Sequence, residues 1–162
     1  MRSARILAAS LLLTPAVVVL APASAQAATP NCTDHSAFPV ATSSDGDPIE
    51  VLLPESPLTV GVTTVCLLKQ QSTFNPGVQD MQGALHYCHG YNIAVDGYFG
   101  SKTVAAVKDF QSKHGLTVDG IYGPNTAKKL LWDSFYGELS RHHVPGTDAG
   151  CRSAAADIKQ WT

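Results

Sequence analysis

The fold is decided by the stretch Val95-Asp96-Gly97-Tyr98-Phe99-Gly100-Ser101-Lys102-Thr103, which the chain repeats, with changes, as Val118-Asp119-Gly120-Ile121-Tyr122-Gly123-Pro124-Asn125-Thr126. Each copy is followed by a segment with apolar residues at helical spacing, over 104–110 after the first copy and over 127–131 after the second. The doubling predicts two equivalent units, each made of a turn and the helix that follows it.

The chemistry of the two copies explains why each forms a turn before a helix. An aspartate side chain can accept a hydrogen bond from the backbone two residues on, and the glycine after it tolerates a positive φ. The second glycine is the N-cap of the helix that follows. In the second copy Pro124 comes next, and proline is favoured at the first helical position because its missing N–H would have no partner there anyway. The central aromatic, Phe99 or Tyr122, is expected to fill the core beneath the turn. The residues predicted to build the turns are Asp96, Gly97, Gly100, Asp119, Gly120 and Gly123.

Residues 1–27 are typical of a secretory signal peptide. Arg2 and Arg5 supply a positive start, an apolar run follows over 6–20, and Ala25-Gln26-Ala27 offers a cleavage site. The apolar run is too short for a membrane span. We therefore expect a secreted protein, extracellular or associated with the cell wall, without membrane contact after cleavage.

The charge of the chain excludes one class of partner. The sequence carries 11 Lys and Arg against 13 Asp and Glu, a formal charge of −2, and it becomes more negative once Arg2 and Arg5 leave with the signal. A protein that binds a phosphate backbone needs a concentrated basic face. We expect no nucleic-acid partner.

Four cysteines predict two disulfides, because an even number in an exported chain is typical of a disulfide framework. The four are Cys32, Cys66, Cys88 and Cys151. Each bridge would contribute about 2–4 kcal/mol by restricting the unfolded chain. Sequence allows three pairings. We favour Cys66–Cys88 with Cys32–Cys151, which would tie the first helix locally and join the two tails.

Helical periodicity predicts three helices. The first spans 77–87 and the second 101–114, each with an apolar stripe on one side. The third begins at Pro124 and continues through Trp132 and Phe135. A three-helix bundle is the simplest way to bury these stripes together.

Residues between Val78 and Leu131 carry a series of landmarks whose order and spacing resemble a known family. They are Val78-Gln79-Asp80-Met81-Gln82, Leu85, Gly90-Tyr91, Val95 to Gly100, Thr103, Ala106-Val107, Phe110-Gln111, Gly115-Leu116, Asp119-Gly120, Gly123 to Thr126 and Leu130. The pattern is similar to the peptidoglycan-binding domain family, in which three helices carry two D-G-x-x-G turns. Ser101 departs from the repeat, and many members lack Cys66 and Cys88. The resemblance implies non-covalent attachment to peptidoglycan in a Gram-positive-type envelope, usually as the targeting part of a wall hydrolase.

The predicted fold is therefore mainly α: a three-helix bundle with two D-G-x-x-G turn–helix units and a small disulfide-tethered N-terminal arm. Strand-like runs at 49–53 and 60–68 predict short β-strands in that arm. The predicted division is a signal peptide at 1–27, the arm at 28–69, the peptidoglycan-binding domain at 70–137 and a tail with a short helix at 138–162.

Six side chains on or beside the turns are candidates for contact with the wall polymer. Aromatic rings offer flat apolar surface for sugar or acyl groups, and amides and hydroxyls fix orientation. A structural role competes at two positions, since Tyr122 also suits a core plug and Gln111 a buried amide that bonds a loop. Tyr91 and Tyr98 are therefore favoured. The candidates are Tyr91, Asn92, Tyr98, Gln111, Tyr122 and Asn125.

The sequence offers no complete catalytic or metal-binding set. Ser140-Arg141-His142-His143 with Asp148 resembles part of the zinc site of D-alanyl-D-alanine peptidases, but such a site needs a further distant histidine. Cys88 lies between His86 and His89, yet we expect it to be oxidised. We predict no metal, no cofactor and no catalytic activity.

We expect a secreted, non-catalytic monomer that binds cell-wall peptidoglycan non-covalently, through either the glycan strand or the stem peptide. One alternative is a small wall hydrolase of muramidase, amidase or peptidase type, with its active site between the arm and the bundle. Another is an adaptor or inhibitor that docks on a second secreted protein through the arm.

Overall fold

The structure is a computed structural model, and it describes residues 28–57, 62–136 and 150–154. Within these residues an antiparallel sheet packs against short helices. The expectation of a mainly α three-helix bundle is wrong, because strands drawn from both sides of the helical region form a sheet of four main strands. The predicted short helix of the tail lies outside the described residues.

The sheet brings together distant parts of the chain. Its order is β1-β2-β4-β5, with every neighbouring pair antiparallel, and β3 pairs with the end of β2. The strands are β1 Asp34–Thr42, β2 Pro48–Pro57, β3 Val62–Thr63, β4 Leu131–Tyr136 and β5 Gly150–Ser153. The arm thus does contain strands, but they are the first half of a sheet that the C-terminal strands complete.

Strand β2 is the centre of the sheet, and its sequence shows why. Ile49, Val51 and Leu53 alternate along it and are all buried, the pattern of a strand with one face on the core. The first helix lies directly on this strand. A Cβ on Gly77 would come within 2.9 Å of both Pro54 Cβ and Asp34 O, so glycine is what permits this close approach.

Two of the three predicted helices are present close to their predicted bounds. Helix α1 spans Pro76–Gly83 and continues as a π-helical turn, Ala84–Cys88. Helix α2 spans Ser101–Lys113. Helix α3 is only Pro124–Ala127.

The prediction that the third helix continues through Trp132 and Phe135 is wrong. Those residues belong to β4. Trp132 and Ser134 are buried there, whereas Leu131 is exposed and Asp133 is half-buried. This alternation has the two-residue period of a strand. A short apolar run fits a helix and a strand equally well, and here the backbone partners offered by β2 and β5 decide the outcome.

The four cysteines form two disulfides, as predicted, but the favoured pairing is wrong. The bridges are Cys32–Cys66 and Cys88–Cys151. Cys32 lies beside Cys66 because Cys32 N–H donates to Leu67 O at 2.9 Å. Cys151 pairs with Asp133 across β5 and β4, and β4 packs on the π-helical turn that carries Cys88. Strands β4 and β5 were not predicted, so the proximity of Cys88 and Cys151 could not be predicted either.

One hydrophobic cluster unites the predicted arm with the predicted domain. It contains Cys32, Val51 and Leu53 from the arm and Val78 and Trp132 from the domain. The described residues contain no helix long and apolar enough to cross a membrane. The proposed division at residue 69 stays a prediction.

A histidine–carboxylate pair joins the sheet to α1 and gives a first testable consequence. His35 Nδ1 lies 2.6 Å from an Asp80 carboxylate oxygen, and the hydrogen bond with Asp80 raises the pKa of His35 above 6.5. Because the pKa of His35 is higher in the folded state, the protonated His35 beside Asp80 stabilises the fold fully below pH 6.5. That stabilisation is lost as the pH rises through the folded-state pKa. The free energy of unfolding should therefore fall by up to about 1 kcal/mol over this window.

Urea unfolding of the wild type and of His35→Gln across this pH range measures the effect, since glutamine can bond Asp80 without titrating. The comparison is needed because burial lowers the pKa of His89, and that group loses its contribution as pH falls below 6.5. The difference between the two proteins isolates His35. Parallel pH curves would contradict the prediction.

Candidate functional site

The two repeated turns have the same backbone design. Asp96 Oδ1 accepts a hydrogen bond from Tyr98 N–H at 3.0 Å, and Asp119 Oδ1 accepts one from Ile121 N–H at 2.8 Å. The glycines between have φ of 75° and 76°, values that favour glycine. Gly100 and Gly123, both extended, are the N-caps of α2 and α3. We name residues 96–100 turn 1 and residues 119–123 turn 2.

Turn 1 is held from inside the protein by Gln82 of α1. Its Oε1 accepts hydrogen bonds from the N–H groups of Asp96 and Gly97, at 3.0 and 2.8 Å. Its Nε2 donates to Asp96 Oδ1, to Tyr98 O and to Thr103 Oγ1, at 3.0 to 3.1 Å. Gln82 is 1% exposed. One buried amide thus fixes the whole turn and the start of the next helix.

Gln111 of α2 does the same for turn 2. Its Oε1 accepts from Gly120 N–H at 2.9 Å, and its Nε2 donates to Asp119 Oδ1, to Ile121 O and to Thr126 Oγ1. Gln111 is buried, which favours its structural interpretation over ligand contact.

The Asp96 carboxylate, which accepts bonds from Tyr98 N–H and Gln82, has a lowered pKa and is ionised at neutral pH.

Sequence reasoning did not single out Gln82 as a functional residue, although a signal was present. Val78-x-x-Met81-Gln82 and Val107-x-x-Phe110-Gln111 have the same spacing, and each precedes an Asp-Gly turn and a threonine. The internal repeat therefore begins earlier than the turns: it starts on the preceding helix with the amide that will hold the turn.

A single extended segment connects the two turns. Leu68 exchanges both backbone hydrogen bonds with Tyr122 of turn 2, at 2.9 and 3.0 Å. Farther along, Gln71 N–H donates to Phe99 O, and Asn75 N–H donates to Gly97 O, both in turn 1. The two turns therefore lie along one segment, with exposed side chains on and beside them. We call this the turn surface: the exposed side chains of residues 69, 70 and 72–74 with those of Asp96, Tyr98, Asp119 and Asn125.

Aromatic rings are prominent on the turn surface. Tyr98 is 47% exposed and Phe74 is 55% exposed, with their rings edge to face at 6.2 Å. Phe74 rests on Gly97, where a Cβ would come within 2.5 Å of the ring. Phe74 is not among the residues that the sequence singled out for wall contact. The available signal was an aromatic placed just before the N-cap, Asn75, in otherwise polar residues.

Tyr91 and Asn92 lie at a second place, the exit of the π-helical turn. Tyr91 O–H donates to Asp109 of α2 at 2.8 Å, and Lys113 lies 2.6 Å from the same carboxylate and 5.2 Å from the Tyr91 ring centre. Burial and the Asp109 hydrogen bond raise the pKa of Tyr91. Tyr91 is thus engaged with α2, while Asn92 is exposed beside it.

Tyr122, the remaining candidate, is fully buried and packs edge to face on Trp132 at 6.2 Å. Burial raises its pKa well above the usual range. The equivalent Phe99 is also fully buried, so both central aromatics lie in the core. Of the six candidates, Tyr98 and Asn125 share the turn surface, Tyr91 and Asn92 form a separate pair, and Gln111 and Tyr122 act from inside.

The histidines near Cys88 have structural partners. Cys88 is in a disulfide, a ring nitrogen of His86 lies 3.0 Å from Tyr91 O, and His89 Nε2 accepts a hydrogen bond from Leu131 N–H at 2.9 Å. Across the described residues, no group of three or more His, Cys, Asp or Glu is arranged to hold a metal ion. The segment with His142, His143 and Asp148 lies outside the described residues.

Comparison with known proteins finds a family model for the segment that carries both turns. The model, described as a peptidoglycan binding domain, matches residues 74–130. The match begins at Phe74 and ends just before β4, so it covers the three helices and both turns and leaves most of the sheet outside.

Individual relatives match the same part of the chain. N-acetylmuramoyl-L-alanine amidase CwlL of Bacillus licheniformis is 48% identical over 60 residues, 33% of this chain and 17% of that protein. A spore cortex-lytic enzyme of Oceanobacillus iheyensis is 37% identical over 67 residues, 41% of this chain and 24% of that protein. The chain thus spans a quarter or less of the length of these two relatives.

A third relative is shorter. An uncharacterized protein of Kitasatospora aureofaciens is 41% identical over 83 residues, which are 51% of this chain and 70% of that protein. No solved structure matches the chain.

Proposed function

We propose that this chain is a secreted, non-catalytic protein that binds cell-wall peptidoglycan through the turn surface. The premise is that the chain belongs to the peptidoglycan-binding domain family through residues 74–130. The observation that carries the proposal is the pair of buried glutamines. Gln82 and Gln111 fix two turns along one segment, and the exposed side chains between them are therefore preorganised for a ligand.

The comparisons support binding and are consistent with a role apart from catalysis. The amidase and the cortex-lytic enzyme are named for their activity on wall material, and the segments that they share with this chain cover only a small part of their length. A modest affinity at one site is sufficient on a polymer, because rebinding among many equivalent sites holds the protein in place.

Sedimentation with purified peptidoglycan sacculi tests the proposal. We expect most of the exported, disulfide-bonded protein to pellet with sacculi and soluble wall fragments to compete it off. The pelleted fraction should change little with added salt, because the exported chain has a net negative charge, as do the carboxylates of the wall, and salt weakens only charge-driven attraction. Protein that remains in the supernatant, while a known wall binder pellets, contradicts the proposal.

A small wall hydrolase is the second candidate, because two of the relatives are named as hydrolases. The same sacculi, labelled with dye, separate the two functions. A pure binder releases no dye above the buffer control during the incubation used for sedimentation. Release that depends on the protein would replace the proposed function with the hydrolase.

A further inference from the structure

Two exposed aromatic rings lie at turn 1: Tyr98 belongs to the turn, and Phe74 packs on it. Their packing against the protein does not explain why both are so exposed. Phe74 and Tyr98 leave about half of their surface in water, at 55% and 47% exposed. Their rings meet edge to face, with 72° between the ring planes. Two flat apolar faces at this angle form a corner open to solvent.

Helix capping does not explain Phe74. A hydrophobic residue just before an N-cap usually packs against an apolar side chain four positions into the helix. Here the N-cap is Asn75, and the partner position holds Gln79. Phe74 instead covers Gly97 and exposes its other face.

Turn 2 shows what a covered turn glycine looks like without an aromatic. A Cβ on Gly120 would meet the side chains of Lys108, at 2.9 Å, and Val104, at 3.0 Å. Lysine methylenes and a valine therefore cover this glycine. Since covering a turn glycine does not require a ring, the exposed rings of turn 1 call for another explanation.

The charge beside the rings favours a neutral ligand. Asp96 is exposed and anionic, and its hydrogen bonds with Tyr98 N–H and Gln82 fix it beside the Tyr98 backbone. A carboxylate accepts hydrogen bonds from hydroxyl and amide N–H groups. It repels the carboxylates of a stem peptide, whereas an amino-sugar ring offers an apolar face, hydroxyls and an amide N–H.

We propose that Phe74 and Tyr98 form an aromatic platform that stacks on sugar rings of the peptidoglycan glycan strand, with Asp96 accepting a hydrogen bond from a hydroxyl or acetamido N–H. This rests on the proposed function and deepens it, since it assigns turn 1 to the sugar chain. Before binding, Phe74 already packs on Gly97 and Tyr98, and the Gln82 network fixes the backbone of Tyr98, so less ordering is required when a ligand binds.

Binding to glycan strands whose stem peptides have been removed, and whose freed lactyl carboxyls have been capped as neutral amides, tests the platform. The wild type should bind this peptide-free glycan, and Phe74→Leu with Tyr98→Leu should weaken binding at least about tenfold, the loss typical of aromatic anchors. Leucine at 74 still covers Gly97 but offers no flat face. Phe74→Tyr, which restores a ring, should bind like the wild type.

Tyr87→Leu is the matched control, because Tyr87 is 41% exposed and packs on His86 rather than on turn 1. It should bind glycan unchanged. Equal thermal midpoints of all variants show that the fold is intact. The platform is wrong if the wild type pellets with intact sacculi but ignores peptide-free glycan, or if the double leucine variant binds that glycan normally. Failure to bind either material overturns the proposed function as well.

Discussion

Replacing Gln82 with alanine should lower the free energy of unfolding by about 3 kcal/mol, the largest effect we expect from a single substitution outside the aromatic core. The side chain makes five hydrogen bonds within turn 1 and to Thr103. Alanine would leave the Gly97 N–H without this acceptor inside the protein, and an unsatisfied buried group costs about 1–3 kcal/mol. Urea unfolding measures the change.

Gln111→Ala should have a similar effect, since Gln111 holds turn 2 in the same way. Gln79→Ala is the matched control, because Gln79 lies on the same helix as Gln82 and is only half-buried. We expect it to stay within about 0.5 kcal/mol of the wild type. If the glutamine network is a minor part of the fold, the three variants will be equally stable.

Gln82→Glu separates the hydrogen-bond network from simple loss of volume. Glutamate has nearly the same shape, but an oxygen replaces the amide nitrogen that donates to Asp96, so the buried carboxylate at position 82 would face the Asp96 carboxylate. We expect a loss at pH 7 at least as large as that of alanine, with partial recovery as the pH falls and one carboxylate is protonated. A variant as stable as the wild type at pH 7 would show that Gln82 does not hold the turn.

We expect disruption of turn 1 to weaken binding to the wall as well as stability. Asp96 and Tyr98 are placed by Gln82, so sacculi binding by Gln82→Ala should weaken even below its thermal midpoint, where the protein is still folded. If the turn surface binds the wall as proposed, stability and binding depend on the same atoms in the turns.

Sequence was informative wherever structure is set by local chemistry. Asp-Gly followed by glycine has few backbone solutions, so the turns and the start of α2 could be predicted to within a residue. Tyr98, which the sequence favoured for contact with the wall, is exposed. The burial of Gln111 could be stated only as an alternative, because one amide can bond a loop or a ligand.

Strand β4 shows why the remainder of the fold could not be predicted. Its apolar residues suit a continuation of α3, and what makes them a strand is the free edge of β2, which lies far away in sequence. The disulfide pairing failed for the same reason, since Cys151 reaches Cys88 only through β5 and β4. The contact of Phe74 with Gly97 could not be predicted, because no local pattern encodes it, and only the place of Phe74 before the N-cap was a signal.

Removing the Cys88–Cys151 bridge should give the second large effect, a loss of about 4 kcal/mol. The bridge closes a segment of 63 residues against 34 for Cys32–Cys66, and the entropy of the unfolded chain grows with that length. For a domain whose total stability is about 5–15 kcal/mol, we expect the thermal midpoint of Cys88→Ala with Cys151→Ala to fall by roughly 10–20 °C.

Chain entropy alone separates the two bridges by only about 0.5 kcal/mol, so their surroundings must distinguish them. Cys32 and Cys66 are buried, at 3% and 0% exposed, whereas Cys151 is exposed and Cys88 half-buried. Mild reductant should therefore open Cys88–Cys151 first, which mass spectrometry after thiol labelling will show. Reduction of Cys32–Cys66 first would contradict this order.

The partially reduced protein then tests whether the sheet and the turns are separable. Cys88–Cys151 fixes β5, an edge strand held otherwise by its pairing with β4, while Gln82 and Gln111 hold the turns independently of it. We expect the singly reduced protein, kept well below its lowered midpoint, to sediment with sacculi as the oxidised protein does. Loss of binding at that temperature would mean that the sheet positions the turn surface, and that the glutamines alone are not sufficient to hold it.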